Sequence, residues 1–569
     1  MRRLLLIFLM IHPVLAIAQE DDCVMAVMRF MGVTDLEEVD SYEVERLTEL
    51  FHNPIGINVS SMSDLEKSGL LTFYQIVSLA DYRANHGDVM SLTELSSIDG
   101  FNQILVQTLS PFISLKNGKL VDNASKASVS QELAVKGGYR SNEGNTYTYG
   151  EKYRLLSDRL QLGLSASRSY DAKVHYPSAY SANISWNHDK GKLILGDFNA
   201  RFGQGLCLWN SVVFSSLALP SSYMKKPTGI SQTNSFTGSS ALTGLAGDIY
   251  LGKWKVSAML AMPGIKERRD LSLMPAVNIA RYGSSGMMSV THTMTFTDVL
   301  SRSFRILHMK TSVDASICLR GVNIFGEAAF DWGENAYATV CGADFMASER
   351  LRMAFLLKYY PSKGFSNEYG IATSGEFGYR RLKGNFSLDG SYYPEPKSKE
   401  TDICCQIKLQ TEWTYMLTQR FMMEIRIKER IRTWGFRNKI DIRVGMQYKS
   451  DIATVIARFN ALTCDKTGLL GYVDGGYTPD NLSVFLRLGV FRVDDWDDRI
   501  YVYERDAPAN FNVPAYYGRG FWTATYLSCH PRKWLRLYLR VSYMSYMFMP
   551  IETRKPGRAE LKFQCVFKF

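Results

Sequence analysis

The sequence predicts a mainly β protein. It is a large antiparallel transmembrane β-barrel of about 16–22 strands, preceded by a small all-α N-terminal domain. Three observations predict it. The first is residues 557–569, GRAELKFQCVFKF. Ala559, Leu561, Phe563, Cys565, Phe567 and Phe569 share one parity; Arg558, Glu560, Lys562, Gln564 and Lys568 share the other, with Val566 the apolar exception. A period of two is a strand with one apolar and one polar face. In water such an edge invites aggregation. In a closed barrel its apolar face meets lipid and its edge pairs with the first strand. The second is composition: an export-type leader and 12% aromatic residues, with no later apolar run of the roughly eighteen residues a spanning helix needs. The third is texture: from Gln131 onward, alternating segments are separated by turn residues.

In chain order the leader comes first. Arg2 and Arg3 supply its positive end, residues 4–10 its apolar run, and Ala16-Ile17-Ala18 a small-x-small cleavage site. Residues 1–18 are therefore expected to be a removable signal peptide. Cys23 follows Glu20, Asp21 and Asp22, which is not the small, apolar context of a lipid-attachment site. Nine cysteines at irregular spacing form neither a CxxC metal pattern nor a disulfide framework.

Residues 20–113 are predicted to be helical. Leu36, Val39, Leu47 and Leu50 recur at helical spacing among Glu37, Glu38, Glu43 and Glu45, and Asn53-Pro54 ends that helix. Ser63-Asp64 opens the next helix, and residues 69–72 turn. Residues 75–85 form a helix stopped by Gly87, 92–97 a short one, Asp99-Gly100 a turn and 103–109 the last. The region holds 16 acidic and 4 basic residues, a net of −12. With +2 in the leader and +10 for the whole chain, the remainder carries +20. An acidic module is joined to a basic one.

Pro54-Ile55, Asn58, Leu65, Ile76, Tyr82-Arg83, His86-Gly87, Ser91, Glu94-Leu95, Ile98, Gly100-Phe101, Leu109 and Pro111-Phe112 resemble a tandem helix-hairpin-helix domain. Bacterial competence DNA receptors carry domains of this kind. In DNA-binding members each hairpin has a Gly-hydrophobic-Gly turn, whose glycines let backbone N–H groups approach a phosphate. The resemblance makes the turns Gly69, Leu70, Leu71, Thr72 and Gly100, Phe101, Asn102 the candidate contacts for phosphate or a partner. The chain departs from the pattern. Leu70-Leu71-Thr72 stands where the first glycines belong, and the second turn keeps only Gly100. Duplex affinity rests on neutralising phosphates, which a net of −12 opposes. The expected use is protein interaction or a structural role, the domain contacting an unidentified periplasmic protein or controlling access; a DNA receptor in an uptake system is the alternative.

Residues 114–129 form a polar linker, and 130–569 the barrel. Clear strands fall at 159–167, 181–186, 192–198, 325–330, 352–359, 421–431, 440–448, 484–491 and 534–543. Two long connections, 202–239 and 263–301, are expected outside the membrane or folded into the lumen. GDFNARFGQGLCLW (196–209), DDRIYVYERD (497–506) and PAYYGRG (514–520) resemble recurring segments of outer-membrane barrels that carry an N-terminal helix-hairpin-helix domain. The closing strand is similar to that of bacterial outer-membrane proteins, whose terminal aromatic residue is part of the signal read by the insertion machinery. The resemblances imply an outer-membrane location with the N-terminal domain in the periplasm. The implied partners are outer-membrane lipid and the insertion machinery, and no activity is implied.

No chemistry emerges. The eight histidines form neither HExxH nor a ligand cluster, and there is no GxSxG elbow or phosphate loop. No catalytic residue, metal or cofactor is expected, and the chain is read as a transport or assembly component rather than an enzyme. The acidic run 494–498 is expected to be solvated or Arg-paired. Tyr516, Tyr517, Trp522 and Tyr526 are assigned to an aromatic girdle. Parity places Arg426, Lys428, Arg430, Arg443, Arg536 and Arg540 in the lumen, because the opposite register would put cations in hydrocarbon at about 2–4 kcal/mol each. Two readings of that lumen are open: plugged by pairing with other acids, or basic enough to favour anions.

Overall fold

The computed structural model describes residues 19–33, 41–115, 129–141, 145–157, 159–173, 175–188, 190–210, 217–233, 235–236, 241–263, 265, 272–283, 286–297, 305–319, 321–397, 403–435, 438–479, 481–508, 510, 512–548 and 557–569. The leader, Leu36 and Val39 lie outside the described residues.

Twenty-four antiparallel strands form a closed wall, each bonded to its sequence neighbours. Closure is made by the first wall strand, Ser130–Ser141, and the last, Gly557–Lys568. Gln131 and Phe569 exchange both backbone hydrogen bonds, at 2.9 and 3.1 Å. No backbone edge faces lipid at this seam, as a spanning sheet requires. Along the closing strand Leu561 and Phe563 are exposed while Glu560, Gln564 and Val566 are buried. The same alternation recurs at Ile425, Ile427, Leu486, Leu488, Leu539 and Val541, which all face outward. A closed wall with an apolar exterior is a membrane-spanning barrel.

The wall exceeds the strand number expected from sequence, and one expected loop is the reason. Residues 263–301 contain two wall strands, Met274–Tyr282 and Gly286–Thr297. Pro275 and the flanking glycines disguise them. Pro275 sits at the second residue of its strand, where a missing N–H is tolerated. Ala276, Asn278 and Ala280 lie opposite Thr293, Thr291 and Ser289, a small polar face that dilutes the hydrophobic signal.

The two rims differ. Turns after Leu156, His188, Leu251, Tyr282, Leu319, Ser348, Tyr379 and Lys449 are only a few residues long, and the wall's ends, Ser130 and Lys568, share that rim. The other rim carries the long connections. Exposed Trp186, Trp254, Tyr379, Tyr415, Tyr448, Tyr477 and Trp534 ring the short-turn rim, and Trp332, Tyr337 and Tyr392 stand near the other. These are the aromatic girdles. Tyr516, Tyr517, Trp522 and Tyr526 are not part of them. All four are buried, pointing into the lumen, so their assignment to a girdle is corrected. Aromatic content alone does not separate lipid-facing rings from lumen-facing ones.

The lumen is filled from both ends. Connection 202–241 folds inward. Its short strand Gly229–Gln232 extends the pairing of Gly191–Arg201, and Leu217 and Tyr223 bury against Phe325, Val340, Ala354 and Leu356 of the wall. Connection 494–517 folds inward beside it. Ile500, Val502, Tyr516 and Tyr517 pack on Leu470, Phe491 and Trp522. Gly489 makes room for this cluster: a Cβ there would stand 2.2 Å from the Trp522 ring. The third filler is the N-terminal domain.

Among the described residues that domain has six helices: α1 (Gln19–Met31), α2 (Ser41–His52), α3 (Met62–Ser68), α4 (Phe73–His86), α5 (Leu92–Leu95) and α6 (Gln103–Leu109). They match the sequence reading closely, Gly87 being the C-cap of α4, although α3 is capped by Ser61 rather than opened at Ser63. Val27, Leu47, Ile57, Leu65, Leu70, Ile76, Leu79, Leu109 and Phe112 form one core.

Lipid-face parity is testable at mid-strand. Val541→Arg is expected to cost about 2–4 kcal/mol of unfolding free energy in bilayers, read by denaturant titration. Ser542→Ala, one residue on and facing the lumen, changes it by less than about 1 kcal/mol.

Candidate functional site

The helical domain lies against the barrel. It is seated in the mouth on the short-turn side. The contact is electrostatic and is made mainly by α2. Its carboxylates Glu45 and Glu49 are one turn apart and share a face toward the adjacent cations Lys152 and Arg154, while Glu43 leaves the other side of the helix toward Arg201. Glu43 pairs with Arg201, and also with Arg46 of its own helix at 2.7 Å. Glu45 accepts from Lys152 at 2.8 Å and from the Ser235 hydroxyl at 2.9 Å. Glu49 pairs with Arg154, and Asn53, just past the helix, accepts from Lys568 at 2.8 Å. Strand parity turns each of these wall cations inward.

A second anchor lies on α3. Buried Glu66 pairs with Lys255, accepts from the Tyr250 hydroxyl at 2.6 Å and stands 3.9 Å from Lys192. Lys192 in turn is 3.0 Å from Asp248. Met62 and Val77 add an apolar contact on Ala280 and Tyr282. The inward connection holds the domain from above: Leu219 N–H donates to the Gly32 carbonyl at 3.2 Å, and the Lys226 ammonium lies 3.8 Å from the centre of the Phe30 ring.

Burial by itself would raise the Glu43 carboxyl, but the Arg46 and Arg201 guanidiniums outweigh it and hold it down at about 2. Glu49 is lowered by Arg154 and Lys152 against the same burial. Burial, aided by Arg536, pushes the His52 imidazole down to about 4, so it is neutral at ordinary pH.

The hairpin residues serve the domain itself. Asn58 is clamped both ways to Val89 at 2.9 Å, and Arg83 donates to the Ile57 and Ser60 carbonyls. Leu70, Leu71 and Phe101 are buried. Thr72 and Asn102 cap α4 and α6 by accepting from Gln75 and Leu105 N–H. Gly69 adopts φ +61° and abuts Arg46 and Thr228 of the inward connection. Gly100 adopts φ +83° against Tyr74, and its carbonyl accepts from Gln75. The first turn lies against the inward connection, with Gly69 beside Thr228.

The six lumen cations fall in two groups, Arg426, Lys428, Arg430 and Arg443 on two paired strands and Arg536 and Arg540 on another. Arg540 bridges Glu504 of the inward connection and Glu560 of the closing strand. Arg426 pairs with Asp441 at 3.0 Å and lies opposite Arg443, while Lys428 and Arg430 stand half-buried further along. Arg536 borders a small cavity beside His52. In the acidic run, Asp494 pairs with Arg519, and Asp498 accepts from the Cys464 and Lys466 N–H groups.

The residues that sequence reasoning misses are the plug's own acids. The signal is there as −12 on one module and +20 on the other. Taken separately, the two charges suggest a partner surface and a lumen lining; in the fold they answer each other. The segment 196–209 also has a structural role: Glu327 of the wall accepts from Gln204 and Leu206 N–H at 2.7 and 3.0 Å and pins the inward connection.

No protein-family model matches the chain, and no curated protein matches it. Solved structures similar in fold are large barrels. The copper transporter OprC has TM-score 0.42 and 8% identity over 77% of this chain and 80% of its own. The siderophore receptor PirA from Acinetobacter baumannii has TM-score 0.42 and 6% identity over 78% and 81%. The P pilus usher (PapC) translocation pore has TM-score 0.38 and 9% identity over 77% and 99%.

The ion pairs predict two outcomes. Glu45→Lys with Glu49→Lys should loosen α2 and raise its backbone hydrogen exchange, and adding Lys152→Glu with Arg154→Glu should restore protection. Because the Glu43 carboxyl is lowered, its contribution is complete above the ordinary carboxylate range and is lost as pH falls through about 2. Protection of α2 should therefore hold from pH 7 to 5 and fall progressively below about pH 4.

Proposed function

We propose that the protein is an outer-membrane transport barrel whose acidic N-terminal domain is a resident plug. The observation that carries this is the row Glu43, Glu45, Glu49 and Glu66 paired with Arg201, Lys152, Arg154 and Lys255 of the lumen wall. Outer-membrane barrels keep short turns in the periplasm and long loops outside. By that rule the plug sits at the periplasmic mouth. Ion pairs suit a reversible seat, since they are weakened by salt and by competing charges. A wall of this width without a filler would be an open pore.

The helical domain therefore works first on its own barrel. Its exposed Val59, Met90 and Leu92 are left for a periplasmic partner that would act on the plug. Nothing in the arrangement favours a DNA receptor, and the reading is of a transport component rather than an enzyme.

Deletion of residues 20–113 behind the intact leader tests the plug. The truncated barrel should give large, long-lived conductance steps in planar bilayers, and the full chain small ones. Equal conductance from both would overturn the plug reading.

A further inference from the structure

The plug does not fill the lumen evenly. Two cavities run along one side of it, between α2 and the seam where the first and last strands meet. The upper one, about 260 Å³, reaches Tyr170 in a long connection and is floored by Thr48 and His52 of α2. The lower one, about 60 Å³, reaches Asn53 and Lys568 at the short-turn rim. Glu45, His52 and Pro508 border both, so these three side chains are the partition between two chambers in series.

Among the charged side chains that border the two chambers, cations outnumber carboxylates. The upper has Lys136, Arg505 and Lys562 against Glu45 and Asp506. The lower adds Lys152, Arg154, Arg536 and Lys568 against Glu49 and Glu132. Several of these are engaged in ion pairs. Lys562 is 2.7 Å from Asp506, and Lys152 and Arg154 hold the plug. Lys136 lines the wall of the upper chamber, where it donates to the Asn510 amide at 3.0 Å and lies 4.1 Å from the centre of the Phe236 ring. It is one of the cations that give this chamber its sign.

We propose that this seam is a passage for small inorganic anions, crossed by side-chain movement at the partition while the plug stays seated. The proposal rests on the plugged-barrel reading and gives it a route and a solute class. Three features set the class. Excess positive charge in a narrow, low-dielectric passage concentrates anions and repels cations. The lower chamber has room for only a few water molecules, which excludes sugars, peptides and chelates. The partition consists of a histidine, a proline and one paired carboxylate. A small ion crosses it by side-chain movement, with no displacement of a helix.

The test separates this route from one that needs plug movement. In a background with the nine cysteines replaced by alanine or serine, Val77→Cys and Tyr282→Cys tether the plug to the wall on the side away from the seam. A short bismaleimide closes the tether. Current is then measured in planar bilayers under chloride and phosphate gradients. The tethered protein is expected to carry small, anion-selective current. Lys136→Gln should move the reversal potential toward zero, Lys136→Glu should move it further, and Thr48→Trp should abolish the current. Heat-dependent gel mobility verifies that each variant is folded. Current that disappears on tethering and returns without the crosslinker overturns the passage but leaves a gated barrel standing. Cation-selective current through the tethered protein overturns the passage as an anion route. No current from the full chain or from the barrel lacking residues 20–113 overturns both the passage and the transport reading.

Discussion

The structure depends on one hydrogen-bonded ladder, the pairing of Gly557–Lys568 with Ser130–Ser141. A sheet in hydrocarbon cannot leave an edge unpaired, so a long series of strands must curl until its last meets its first. Once twenty-four strands are committed to that closure, the circumference is set and a wide polar lumen results. Everything else in the chain answers the question of what occupies that space. The inward connections supply one answer, with Tyr223 and the cluster around Trp522 packed on small and aromatic wall residues. The acidic domain supplies the other.

The two fillers are held by different physics. The connections are packed apolarly and pinned by buried carboxylates: Glu327 on backbone N–H groups, Glu504 and Glu560 on Arg540. Packing of that kind is durable. The domain is held mostly by charge, with apolar contacts at Met62 and Val77 and at Tyr503 of the inward connection. Its own core gathers Leu47, Leu65, Leu79 and Phe112.

Much of this is legible in the sequence, for identifiable reasons. The closing strand shows its parity because its lipid-facing residues are large and its lumen-facing ones charged. The helices of the domain announce themselves through Asn53-Pro54, Gly87 and Asp99-Gly100. Residues 263–301 read as a loop because their lumen-facing side chains are small and hydroxylated, so strand periodicity never rises above the turn signals. The lumen aromatics read as a girdle because a buried Trp522 and a lipid-facing Trp534 look alike in one dimension. The plug's seat is invisible for a different reason. Glu43 and Arg201 lie on opposite sides of a linker and several strands, and complementary net charge reports that two modules attract without saying where they meet.

The position of the seam bears on how the molecule is assembled. The domain precedes every strand in the chain, and the ladder that completes the ring is made by the strand that comes after all the others. Lys568 of that strand reaches Asn53 of the domain, and Glu132 beside it reaches Lys568 and Arg154. The ring thus shuts directly against a body already synthesised. The joint that closes the wall and the joint that seats the domain therefore share Glu132 and Lys568, so a change at either side chain is felt by both.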